Sequence, residues 1–96
     1  MLQADPRAIA LSLEAFAGLT AKESRPEQAA LLWGAAEALR EEIEAPLPPN
    51  ERERYHHEVA VVRQVLGAEK FSTAWAQGRA MTMEQAIAYA LETPIG

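Results

Sequence analysis

The residues best suited to metal chemistry are two adjacent histidines followed by a glutamate, His56-His57-Glu58. His57-Glu58 begins like the zinc-protease helix motif, in which two histidines four residues apart bind the metal beside a glutamate base. The second histidine would stand at position 61, where this sequence has Val61. Adjacent residues also point about 100° apart around a helix, so the two histidines converge poorly on one ion. The sequence therefore predicts no metal site here but a solvated pair beside Tyr55, with a pH-sensitive contact as the alternative.

A second candidate for chemistry is an acidic cluster, because paired carboxylates can do acid–base work or hold a cation. Its members are Glu37, Glu41, Glu42, Glu44, Glu51 and Glu53. Asp5 is the only aspartate, no loop has calcium-site spacing, and no serine lies in a nucleophile-elbow sequence. We expect a solvated helix face whose charge is balanced by Arg52, Arg54 and Arg63. The sequence thus predicts no enzyme, no catalytic residue and no cofactor.

Composition sets the class of protein. The chain has 96 residues, 49% of them hydrophobic, a formal net charge of −5 and no cysteine. We expect one domain over residues 1–96, without disulfides. No signal peptide or membrane-spanning stretch is recognisable, so we expect a cytoplasmic protein without a membrane partner. An acidic chain without a basic stripe is also a poor match for phosphates, and we expect no direct nucleic-acid binding by this segment.

The local signals predict an all-α fold of about five helices and no strand. Asp5 before Pro6 is a typical helix start, and Ser24/Glu27 and Thr82/Gln85 have capping-box spacing. The predicted helices cover about 6–19, from the Ser24 cap to about 43, about 49–67, about 69–77 and about 82–91. They form a hairpin over about 6–43, a proline corner over 46–49 and C-terminal helices over about 50–92.

The positions of four glycines predict roles for them. Gly18 and Gly34 lie inside predicted helices, where glycine costs about 1 kcal/mol relative to alanine, so we expect another helix to approach closely at both. Gly67 is expected to end the third helix in a left-handed conformation. Gly78 is expected to lie beyond the fourth helix.

Apolar spacing predicts how the helices pack. The second helix has one apolar side, and the third has a stripe of Tyr55, Val59, Val62 and Leu66, widened by Val61 and Val65. The first helix has two stripes, one of Ile9, Leu13 and Phe16 and the other of Ala8, Leu11, Ala15 and Leu19. The second stripe needs cover from the C-terminal helices, a preceding repeat or another chain.

Four residues are therefore the predicted interaction surface: Leu11, Ala15, Leu19 and Trp75. Solvent exposure of Leu11 and Leu19 in a lone protomer would remove the case for an adhesive role of that stripe. Tryptophans are enriched at interface hot spots, although core burial is expected for Trp33. Phe71 is expected to pair with Trp75 and to fix the fourth helix to the third.

The first hairpin resembles a tetratricopeptide repeat. The small sites of that motif are occupied by Ala17, Ala29 and Ala36, and the large apolar sites by Leu13, Phe16 and Trp33. Glu41 stands where the consensus often has proline, so we expect the second helix to run on for about another turn.

A longer series of residues resembles the C-terminal tail of large bacterial regulators. The series comprises Ala29–Arg40, Pro46–Pro49, Glu51-Arg52, Tyr55, Gly67, Phe71, Ala74-Trp75, Gly78-Arg79 and Met83–Ala86. Proteins of that family combine a signal-transduction ATPase and helical repeats with LuxR-type DNA-binding or other modules. The resemblance implies a small right-handed helical array, as a tail fragment or a stand-alone relative.

Two hypotheses follow for function. The first is a non-catalytic protein–protein interaction module in signal transduction or transcriptional regulation, which binds a protein partner or forms a homodimer through its apolar helix faces. The alternative is a small-molecule-sensing bundle with an apolar pocket between the first helix and the C-terminal helices.

Overall fold

Five α-helices make up the ordered architecture of residues 5–92, the part of the chain that the computed structural model describes. They are α1 (Pro6–Lys22), α2 (Pro26–Glu42), α3 (Pro49–Leu66), α4 (Ala68–Arg79) and α5 (Met83–Glu92), and this part contains no strand. The predicted all-α fold of five helices is confirmed. No helix within it is both long and apolar enough to cross a membrane.

Local sequence signals begin two of these helices as predicted. Asp5 Oδ1 accepts a hydrogen bond of 2.9 Å from the backbone N–H of Arg7 at the start of α1. At the start of α5, the Thr82 N–H donates to Gln85 Oε1 (3.0 Å) and the Gln85 N–H donates to Thr82 Oγ1 (3.1 Å). This reciprocal pair is the predicted capping box.

The predicted cap at Ser24 is wrong. Ser24 has φ 63°, and its N–H donates to the Ala21 carbonyl while the Arg25 N–H donates to the Thr20 carbonyl. These two bonds form a Schellman turn that ends α1, so Ser24 belongs to the end of one helix and not to the start of the next. Helix α2 begins at Pro26, and Arg25 before it makes no side-chain capping bond.

Helix α2 is the centre of the fold because α1 packs on one side of it and α4 on another. Nine of its 17 residues are buried, including every residue from Ala29 to Ala36. The sequence predicted one apolar side, but small residues around the helix allow neighbours to approach from both sides. The last three residues of the run, from Gly34 to Ala36, are only glycine and alanine.

Two glycines permit the closest approach, between α2 and α4. A Cβ added at Gly34 would lie 2.3 Å from the Trp75 carbonyl oxygen, and one added at Gly78 would lie 1.9 Å from the Leu31 carbonyl oxygen. The close approach predicted at Gly34 is confirmed. Gly78 does not lie beyond α4 as predicted; it is a buried residue within that helix, at the crossing with α2.

Helix α3 is attached to the rest of the fold along one edge. Val62 is its one buried residue, and Tyr55, Val59 and Leu66 are partly buried against the core. Val61 and Val65, which were expected to widen this stripe, are exposed instead, because no described helix lies on their side of α3. Gly67 has the predicted positive φ of 89°, but its ψ of 151° is extended and not left-handed helical.

Candidate functional site

A groove between α1 and α3 brings together three of the four predicted surface residues. It has a volume of about 240 Å³, and we call it the α1–α3 groove. Its lining comprises Leu11, Glu14, Ala15, Gly18, Leu19 and Lys22 from α1, Trp33 from α2, Leu47 from the corner, and Glu51, Arg54, Tyr55 and Glu58 from α3. The stripe that the first helix left uncovered is therefore one wall of a groove.

The leucines of that wall are solvent-accessible in the single chain. Leu11 is 52% exposed and Leu19 is 47% exposed, and Ala15 between them is also exposed. Of the C-terminal helices, α3 faces this stripe across the groove without burying its leucines, and α5 contacts α1 and α2, burying Ala86 and Ala90. This exposure is the outcome that removes the sequence-based case for an adhesive role of the stripe, and the role of the leucines stays a prediction.

Gly18 in the same wall has no packing partner that requires a glycine. A Cβ there would meet only Glu58 Oε1, at 3.8 Å, which is an ordinary contact distance. The close helix approach predicted at Gly18 is therefore wrong within one chain, in contrast to Gly34. Alanine would stabilise this helix position by about 1 kcal/mol. The glycine therefore destabilises α1 slightly, and no contact among the described residues requires it.

Trp33 and Tyr55 join the floor of the groove to the α3 wall. The Trp33 side chain is 1% exposed, and its ring meets the Tyr55 ring edge-on with a centroid distance of 6.3 Å and an interplanar angle of 79°. Such edge-to-face pairs are favourable beyond the area that they bury. The expected core burial of Trp33 is confirmed, and its aromatic contact helps to hold α3 in place.

The Tyr55 hydroxyl lies in an environment that favours its neutral form. Burial raises the pKa of this phenol well above its ordinary value of 10.0, and the carboxylates of Glu37 and Glu14 raise it further, opposed by the Arg40 guanidinium. A raised pKa of the folded state means that the folded state retains the proton at a pH where the unfolded chain has lost it.

We therefore expect the contribution of Tyr55 to the free energy of unfolding to be fully present below pH 10 and to be lost as the pH rises above it. The loss reaches up to about 1.4 kcal/mol per pH unit until the pKa of the folded state is passed. A Tyr55→Phe variant should lack this component, since phenylalanine does not ionise. Urea unfolding of both proteins between pH 9 and pH 11, followed by circular dichroism, measures the difference. Tyr89 is present in both and cancels; parallel pH curves would contradict the prediction.

Glu14 lines the groove but is not available as a free charge. Arg40 binds it through two contacts, Nε to Oε2 at 2.6 Å and Nη2 to Oε1 at 2.9 Å, and Arg40 Nη1 also donates to the Ala45 carbonyl at 3.0 Å. Both side chains are nearly buried, with 11% and 10% exposure. The charges left to the groove rim are Lys22, Glu51, Arg54 and Glu58.

Trp75, the fourth predicted surface residue, lies away from the groove on α4. Its Nε1–H donates to Glu37 Oε1 at 2.9 Å, and its ring centroid lies 5.1 Å from that of Phe71. The predicted pairing with Phe71 is confirmed. The hydrogen bond ties α4 to α2, whereas the sequence predicted that this pair would fix α4 to α3.

The acidic cluster is partly used for helix packing. Arg79 from α4 binds Glu37 at 2.6 Å and Glu41 at 2.7 Å, and its guanidinium lowers the pKa of Glu41. The balancing arginine for these two glutamates is thus Arg79 and not an arginine of α3. His56 and His57 are exposed, and residues 5–92 contain no group of three or more possible ligands that could hold a metal ion.

The cavity near the start of α5, beside α1 and α2, is small. It lies beside Leu13, Leu39, Met83 and Ala86 and has a volume of about 90 Å³. Ligand pockets for drug-sized molecules have about 300–1,000 Å³. This cavity is therefore too small for such a ligand, and the small-molecule hypothesis stays a prediction for the α1–α3 groove.

Comparison with known proteins finds similarity to a segment of much longer proteins named as transcriptional regulators. Over 79 residues, 82% of its length, the chain is 34% identical to "Putative HTH-type transcriptional regulator Rv0890c" of Mycobacterium tuberculosis H37Rv. The same identity holds for the proteins so described in M. tuberculosis CDC 1551 and in Mycobacterium bovis. The chain spans only 9% of the length of these relatives. No protein-family model matches it, and no solved structure gives a significant match.

These relatives correct one expectation from the sequence. Their names describe HTH-type transcriptional regulators, and the expectation of no direct nucleic-acid binding by this segment is therefore overturned. The error came from inferring partners from the charge of one 96-residue chain, although the proteins that share this segment are many times longer. The names also describe regulators and not enzymes.

Proposed function

We propose that this chain is a helical docking module of the transcriptional-regulator type. Its α1–α3 groove binds a helix on the surface of another protein. The tetratricopeptide-like character and the relation to regulator tails are part of this proposal, as is a non-enzymatic role for residues 1–96 as one domain. The observation that supports it best is Gly18, a helix glycine in an open groove wall where no atom of residues 5–92 requires it.

A glycine lets two backbones approach closely, and the leucines on either side can then bury their exposed area against the incoming helix. Leu11 and Leu19 lie about two turns apart on α1, with Ala15 midway between them. This arrangement suits an amphipathic helix, which is recognised through apolar residues at helical spacing. The mixed charges of Lys22, Arg54 and the glutamates would form the polar rim that surrounds the apolar centre of an interface.

Two substitutions in the groove wall test the proposal. We expect Leu11→Glu to weaken association at least tenfold with helicity unchanged, because a buried carboxylate lacks a partner in an apolar contact. We expect Gly18→Ala to weaken association similarly while it stabilises the free chain by about 0.5–1 kcal/mol. A defect in folding cannot produce that opposite pair of effects.

Association is measured with two probes. Sedimentation of the chain across concentration detects self-association, and titration with the remainder of the M. tuberculosis relative, expressed without its matching segment, detects docking in trans. Leu91→Glu is the matched control, since Leu91 is 75% exposed on α5, outside the groove. If both groove variants associate as the wild-type chain does, or if only a DNA duplex is bound, the proposal is wrong.

A further inference from the structure

We infer that α3 is a hinged wall of the α1–α3 groove, which swings away as a unit and exposes Trp33 while the other helices stay packed. The inference rests on the proposed function in one respect only: the opening would admit the partner helix. The motion itself belongs to the free chain and can be measured without any partner.

Burial is distributed very unevenly among the long helices. Helix α3 has 18 residues and one of them is buried, whereas α2 buries nine of 17 and α1 buries four of 17. The outward side of α3 includes Val61 and Val65, which are 47% and 69% exposed. Elements with few buried apolar contacts open at a lower free energy than the core does.

Both ends of α3 are built to bend without breaking a helix. Gly67 alone joins α3 to α4, with φ 89° and ψ 151°, and a Cβ at this position would meet no atom within 4 Å. Only glycine adopts this backbone region readily, and no packed neighbour restrains it. Rotation at this residue can therefore change the angle between the two helices.

The other hinge lies at Pro46, whose ring fixes φ, so the rotation there is about ψ. Ala45 is held to α2, because its N–H donates to the Arg40 carbonyl at 2.9 Å and its carbonyl accepts from Arg40 Nη1 at 3.0 Å. Leu47 is held to α3, because its carbonyl accepts from Arg52 Nε at 3.1 Å. The boundary between the stationary part and the moving part falls on the residue between these two.

Few contacts hold α3 against the core, and those at one end of the helix are aromatic. Tyr55 meets Trp33 edge-on, Val62 enters the core, and Val59 and Leu66 are partly buried beside it. If α3 swings outward, the Trp33 indole is the main apolar surface uncovered at the groove floor. Trp33 is therefore the natural reporter of the open state.

Hydrogen exchange of the free chain tests the hinge. We expect amides of residues 55–66 to exchange through an opening at least tenfold more frequent than that of residues 30–36 in α2. In a Trp75→Phe background, where Trp33 is the sole tryptophan, acrylamide quenching should rise with the additional change Tyr55→Leu, whereas exchange of residues 30–36 stays unchanged.

Equal protection of α3 and α2, or Tyr55→Leu chains in which both helices lose protection together, would overturn the hinge. The wild-type exchange measurement does not depend on the folding of any variant. An α3 that opens in a chain that binds neither probe would refute the docking function alone, and a rigid α3 in a chain that binds a partner would refute the hinge alone.

Discussion

Replacing Gly78 with alanine is expected to lower the free energy of unfolding by about 3 kcal/mol or more. The new Cβ would lie 1.9 Å from the carbonyl oxygen of Leu31, 2.8 Å from its carbonyl carbon and 2.9 Å from the backbone nitrogen of Ala35. All three are backbone atoms of α2, so no side-chain rotation can relieve the overlap. The two helices must separate, and the closely packed interface between them loses its contacts along the whole crossing.

The effect is measured by urea unfolding with circular dichroism, and the chain contains its own control. Gly34→Ala should behave like Gly78→Ala, because its Cβ would lie 2.3 Å from the Trp75 carbonyl oxygen. Gly18→Ala should go the other way, since that glycine has the same helical backbone without the neighbour. Equal unfolding midpoints for the three variants would contradict the packing described for α2 and α4.

Breaking the Arg40–Glu14 pair is the second large effect that we expect. Glu14→Gln should lower the free energy of unfolding by about 2–4 kcal/mol, because it leaves a nearly buried guanidinium without its counter-charge. The pair joins α1 to the end of α2, and Arg40 also holds the Ala45 carbonyl where the chain turns into the corner. Loss of the pair should therefore loosen the corner as well as the α1–α2 packing.

A double-mutant cycle separates the pair from its individual members. The cycle consists of Glu14→Leu, Arg40→Met and the double variant with both changes. The double variant should be more stable than either of these two single variants, because replacing both partners with apolar groups removes the uncompensated charge. Glu41→Gln is the matched control, since it breaks an ion pair with Arg79 in which the glutamate is 62% exposed, and exposed pairs contribute little. Additive effects of the two single substitutions would show that the contact does not stabilise the fold.

Features that depend on neighbours in sequence were predictable. Asp5 before Pro6, the Thr82/Gln85 box and the proline corner each act through bonds or steric limits within about four residues, and the structure places helix ends at all three. Ser24 shows the limit of such local inference. Its hydroxyl has the spacing of an N-cap for α2, but Ser24 instead adopts a positive φ in the turn that ends α1. A residue between two closely spaced helices can either end the first or cap the second, and local spacing does not distinguish these roles.

The sequence by itself determined the helical class, most helix bounds and the identity of the residues that share each helix face, because a period of 3.6 residues follows from backbone geometry alone. It grouped Leu11, Ala15 and Leu19 on one stripe of α1. Only the tertiary structure decided what lies opposite each stripe. Gly18 and Gly34 both lie inside predicted helices and are alike in local sequence terms, yet Gly34 meets the backbone of another helix and Gly18 faces an open groove. That difference arises from contacts between residues far apart in the chain, which no local spacing encodes.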